Sequence, residues 1–185
     1  MKKILALTAL ALLLASPAMF AQSGATTATS SLAISVGAEA GIQVTANPSF
    51  NTPVNFANYT GNTTFTYWIR TGTSGNPQIT VYISTDFSNG SNNQPSVASP
   101  PNAGDTLSYS CAMTNPQVGT VTACTGSQTA TTVQGSATNV ATFGKSTSSA
   151  KAGATGNTVS WTLVNDPVYP VGSYTAVATF TISAA

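Results

Sequence analysis

The sequence predicts an all-β protein: an immunoglobulin-like antiparallel β-sandwich preceded by a cleaved signal peptide. Three observations lead there. Apolar residues recur with a period of two in several separate stretches, the signature of strands with one buried face. Gly, Pro, Asn and Ser clusters punctuate these stretches at intervals of about ten residues, as in two packed sheets of short strands. After the N-terminal segment, no stretch long enough for a helix carries helical periodicity.

At the N-terminus, Lys2 and Lys3 precede an apolar run over residues 4–14 broken only by Thr8, and Ser16, Pro17 and Ala18 follow. That is the layout of a secretory signal peptide. Cleavage after Ala21 would place Met19, a poor small residue, at the third position back, and cleavage after Ala18, with Ser16 and Ala18 both small, is the competing site. The run is shorter than the roughly 20 residues a membrane helix needs, and no second run of that kind follows, so no membrane span is expected. The predicted organisation is a signal peptide at 1–21, a flexible Thr/Ser/Ala/Gly leader at 22–30 and a single sandwich domain at 31–185. The predicted location is secreted, periplasmic or at the cell surface.

The first strand signal covers residues 31–45, where Leu32, Ile34, Val36, Ala38, Ala40, Ile42 and Val44 occupy the even positions. Leu32, Ile34 and Val36 follow directly on the leader and form a candidate assembly strand, one that fills either its own core or a neighbour's. A turn region follows at Asn47, Pro48, Asn51 and Pro53. Phe65, Tyr67 and Ile69, then Ile79, Val81 and Ile83, read as two strands of a hairpin joined by residues 71–77. Residues 88–104 read as an exposed loop. Leu107, Tyr109 and Cys111 form a strand, and Val121 and Ala123 form another, with Asn115 and Pro116 turning the chain between them. Residues 130–133 and 140–143 are weaker strand signals. Val159, Trp161 and Leu163 form a strand in which Trp161 reads as a core residue, and residues 174–183 close the chain with a last alternating strand.

Cys111 and Cys124 are the two cysteines of the chain. In an exported protein their spacing predicts a structural disulfide stapling the second hairpin or its neighbours.

Charged residues make up 5% of the chain, against about 25% in an ordinary globular protein. Without Lys2 and Lys3, three cations (Arg70, Lys145, Lys151) stand against four anions (Glu39, Asp86, Asp105, Asp166), a net charge of −1. No basic patch is available to neutralise phosphates, so nucleic acid is not an expected partner. The polar surface is built from Thr, Ser, Asn, Gln and Gly, which do little to repel another sheet edge.

Catalysis is not expected. The chain has no histidine, the usual base near neutral pH. Its few carboxylates lie beside turns, except Glu39 on the polar face of a strand, and none is paired by sequence in the way a glycosidase requires. Two cysteines without histidine cannot close a zinc site, and no Gly-rich loop enters a helix to cradle phosphate. No metal and no cofactor are expected.

The segment Tyr169-Pro170-Val171-Gly172-Ser173-Tyr174-Thr175-Ala176, followed by Phe180-Thr181-Ile182-Ser183, resembles the last strand of pilin-like secreted proteins of the spore-coat-U and chaperone–usher type. The alternating strand near the mature N-terminus is similar as well. Those families carry a cysteine at the end of the first strand, where this chain has Val44-Thr45-Ala46. The resemblance implies a sandwich completed by a strand from a neighbouring subunit.

The expected function is that of an exported structural subunit of a surface filament, coat or extracellular matrix, with itself or other surface proteins as partners. The alternative is a monomeric binding module for glycan or cell wall, with Tyr59, Trp68 and Tyr82 as candidate binding-face aromatics, since aromatic rings stack on sugars.

Overall fold

The computed structural model describes residues 30–52, 54–87 and 92–185. The predicted signal peptide at 1–21 and nearly all of the predicted leader at 22–30 lie outside the described residues. Residues 36–185 pack as one unit, and residues 30–35 fall outside it.

The alternating stretches become nine strands: β1 Glu39–Ala46, β2 Tyr59–Arg70, β3 Gln78–Thr85, β4 Leu107–Ala112, β5 Val121–Ala123, β6 Gln128–Thr129, β7 Thr138–Phe143, β8 Ala154–Leu163 and β9 Val177–Ser183. They form two antiparallel sheets. One is ordered β1-β2-β8-β4-β6, the other β5-β7-β3-β9. The fold is therefore an all-β sandwich.

Period-two patterning explains the core. Phe65, Tyr67 and Ile69 of β2, Leu107 and Tyr109 of β4 and Val159, Trp161 and Leu163 of β8 face inward from the first sheet. Ile79, Val81 and Ile83 of β3 meet them from the second, with Ala141 and Phe143 of β7, and Val140 is buried where the β3–β7 ladder shifts register. Trp161 is buried as the sequence predicts, and its indole nitrogen donates to Thr63 Oγ1 at 2.9 Å. Tyr67 and Tyr109 are buried whole, but their hydroxyls stay satisfied, donating to the Thr114 carbonyl at 2.8 Å and bonding Thr138 Oγ1 at 2.7 Å. Burial pushes the Tyr67 phenol up to about 12, and it raises Tyr109 as well, partly offset by its bond to Thr138.

The β2–β8 ladder shifts register between Phe65 and Tyr67. Asn157, fully buried, closes the gap. Its amide nitrogen donates to the carbonyls of Phe65 (3.0 Å) and Ala154 (2.7 Å), and its Oδ1 accepts from the Thr114 amide at 3.0 Å. A buried amide is tolerated because its groups are paired.

Several sequence expectations are corrected. The Phe65–Ile69 and Ile79–Ile83 strands are not a hairpin: β2 and β3 belong to different sheets, and residues 71–77 are long enough to cross the ~10 Å between packed layers. The same holds for β4 and β5. The Cys111–Cys124 disulfide, with Cα atoms 5.5 Å apart, therefore ties the two sheets together instead of stapling a hairpin. The first strand begins at Glu39, not at residue 31. Residues 30–38 have no strand partner among the described residues, and without a ladder, alternation alone does not make a strand.

Residues 130–133 are not a strand: β6 ends at Thr129 and a short 3-10 turn follows at Gln134–Ser136. The last strand starts at Val177 instead of residue 174. The loop before β4 is only partly exposed, because the Asp86 carboxylate gathers it. That carboxylate accepts from Ser96 Oγ at 2.7 Å, the Val97 amide at 2.8 Å and the Ala98 amide at 2.9 Å.

Candidate functional site

On one side of the sandwich two edge strands meet around a cleft. β1 is an edge of the first sheet and β9 an edge of the second, and these edges lie next to each other. Inward-facing residues there are covered less than elsewhere. Ile42 of β1 and Ala178, Phe180 and Ile182 of β9 are half-buried, whereas Val159 and Ile79 at the centre are fully buried. A cleft of about 290 Å³ opens between the sheets toward the Ala46 end of β1. Val44, Phe50, Phe87, Trp161, Ala178 and Phe180 contribute to its walls. Aromatic contacts hold these walls. Phe50 meets Phe87 edge-on at 6.5 Å, and Phe180 tilts against Phe65 at 5.7 Å.

Charge protects these edges little, although the ladder of β1 with β2 is irregular between Val44 and Ala46. β9 contains no charged residue, and in β1 only Glu39 is charged, at its first position. Charges, prolines and bulges are what usually blunt an edge. Among residues 30–36, Leu32, Ile34 and Val36 are 93%, 82% and 57% exposed. All three candidate assembly residues thus show apolar surface to solvent.

The three candidate binding aromatics are not brought together. Tyr59 begins β2 on the inward side, packed against the core. Tyr82 lies between buried Val81 and Ile83 and faces out from the second sheet. Trp68 faces out from the first sheet, between buried Tyr67 and Ile69, so no two of them form a common platform. Near Tyr59, the Tyr169 hydroxyl is buried without a well-formed hydrogen bond. Its pKa is raised by burial first, then by the neighbouring Asp105 and Asp166 carboxylates.

Around Trp68 the structure assembles a second cleft, of about 580 Å³, that the sequence did not announce. Its floor is β2 at residues 68–70. One wall is the start of β1, where Gly41 pairs directly with Trp68 and Glu39 with Arg70. Arg70 and Glu39 form an exposed ion pair. The other wall is residues 148–151, fixed to β2 by the Ser149 amide on the Ile69 carbonyl (2.9 Å) and the Ile69 amide on Ser149 Oγ (3.1 Å).

Gly153 closes the turn behind that wall with φ of +85°. A Cβ there would come within 2.8 Å of the Trp68 ring and 2.6 Å of Thr66. Only glycine permits the indole to lie against this backbone. Gly153 and Trp68 are far apart in sequence, which is why no local pattern signals the arrangement.

Among the described residues no three His, Cys, Asp or Glu side chains gather as metal ligands, and no helix is long and apolar enough to cross a membrane. No family model, curated protein or solved structure matches the chain.

Proposed function

We propose that the chain is an exported structural subunit of a surface filament, coat or extracellular matrix. In this reading it is an immunoglobulin-like sandwich that takes up a strand from a neighbouring copy. The observation that carries the reading is the apolar cleft beside the edge strands β1 and β9, in a chain whose residues 32, 34 and 36 expose large apolar side chains.

The chemistry of the two parts matches. An added strand bonds to the free backbone edge and sends alternate side chains into the core. Ala178, Phe180 and Ile182 of β9 repeat with the same period of two as Leu32, Ile34 and Val36. Burying three such side chains yields roughly 1.5–3 kcal/mol each, offset by about 1–2 kcal/mol for every backbone residue ordered. Each junction is then modest, and stability comes from repetition along an assembly. The near absence of charge removes the repulsion that keeps most sheet edges apart. Export is supported by the signal-peptide layout of residues 1–21 and by a disulfide, which persists in oxidising compartments.

The test is the double substitution Leu32→Asp/Ile34→Asp, followed by sedimentation velocity at rising protein concentration. The parent protein should form larger species as concentration rises, and the variant should remain monomeric. Its melting temperature should be unchanged, since both positions are exposed. A parent that stays monomeric throughout would overturn the proposal and favour a monomeric module for glycan or cell wall.

A further inference from the structure

We infer that the Trp68 cleft is a binding site for an acidic glycan, a pyranose chain bearing carboxylates, independent of whether the protein self-assembles. Sugar rings offer a C–H face that packs on an aromatic ring, with hydroxyls around the rim that need hydrogen-bond partners. The cleft supplies both. Its floor is an indole held in place by the Gly153 backbone, and its nitrogen has no hydrogen-bond partner among the described residues. Trp161 provides the contrast: its nitrogen is committed to Thr63 inside the core.

The rim carries planar polar groups and hydroxyls. The Arg70–Glu39 pair is exposed, its side chains 43% and 68% accessible, so both can still meet ligand hydroxyls. Ser148, Ser149 and Lys151 face the same space.

Charge selects the class of glycan. Outside residues 1–21 the chain holds seven charged side chains, and three of them, Glu39, Arg70 and Lys151, line this one cleft. Two of its three cations are there, so the cleft is net positive while the remaining charges, Lys145 against Asp86, Asp105 and Asp166, are net negative. An anionic chain is drawn to the cleft and away from the rest of the surface. Because the wall at residues 148–151 is bonded to β2 beforehand, little ordering is required on binding.

The probes are oligogalacturonate and a neutral oligosaccharide of equal length, and the readout is tryptophan fluorescence of the purified protein. Oligogalacturonate should give a saturable change, weakened by added salt as exposed charge pairs are. Trp68→Ala should weaken binding about tenfold or more, as loss of a central aromatic contact does, measured by calorimetry since the reporter is removed. Lys151→Gln, on an exposed position that cannot disturb the core, should weaken it several-fold and reduce the salt dependence. Tyr82→Ala, on the other sheet, should leave it unchanged. No saturable binding, equal affinity for the neutral chain, or full affinity in the Lys151→Gln protein would overturn the inference.

Discussion

Removing the cross-sheet disulfide by substituting Cys111 and Cys124 together with alanine should destabilise the protein by about 3 kcal/mol. The bond closes a loop of sequence separation 13. The chain-entropy relation assigns such a loop about 10 cal/mol/K, which is ~3 kcal/mol at room temperature. Both cysteines are half-buried against the core, so alanine also removes sulfur contacts. Reduced parent protein keeps those atoms and isolates the effect of the cross-link.

Each kcal/mol shifts the melting temperature by about 2–4 °C in a domain of this size, so a fall of roughly 6–12 °C is expected on reduction. Urea unfolding of oxidised and reduced protein, at equal pH and salt, measures the difference directly. The denaturant slope should rise on reduction, because the unlinked unfolded chain exposes more surface. A difference below about 1 kcal/mol with an unchanged slope would refute the reasoning, since the loop would then impose no constraint on the unfolded state.

Three further outcomes follow from the core. Trp161→Ala should cost about 3–5 kcal/mol, and a cycle pairing Trp161→Phe with Thr63→Val should show a coupling near 1 kcal/mol; additivity would show that the 2.9 Å bond contributes nothing. The Tyr67 phenol is raised from 10.0 to about 12 in the folded state. Stability from its neutral form is therefore complete below pH 10 and lost as pH rises toward 12. Melting temperature against pH should be flat up to about 9 and fall above 10, with delayed tyrosinate absorbance. A fall between pH 6 and 8 would contradict this.

The strands were largely legible because their buried faces alternate without interruption: Phe65, Tyr67 and Ile69, or Val159, Trp161 and Leu163, point one way whatever they pack on. What alternation does not encode is the partner. The connection at residues 71–77 suits a hairpin or a crossing between sheets equally well, and only the packed core decides. The extent of the first strand is not encoded in alternation either. Leu32 to Val36 have the right pattern, but a strand exists only where a neighbour supplies hydrogen bonds. Asn157 and Thr63 were invisible as core residues because each is inside only by virtue of partners far along the chain. The Trp68 cleft is illegible for the same reason: its residue type marks the tryptophan as a candidate, but Gly41, Gly153 and residues 148–151 come together only in three dimensions.

The position of β8 at the middle of the first sheet also bears on how the chain reaches its native state. β2 and β4 flank β8 and have no pairing with each other, so this sheet cannot form until residues 154–163 are available. In the second sheet, β3 likewise waits for β7 and β9 downstream. Among the described residues, no strand but β1 pairs with its immediate successor. Folding rates fall steeply as contacts become distant in sequence, so this sandwich should fold on the millisecond-to-second scale. A chain emerging from the ribosome N-terminus first would therefore remain without a complete core until residues 154–183 had been made.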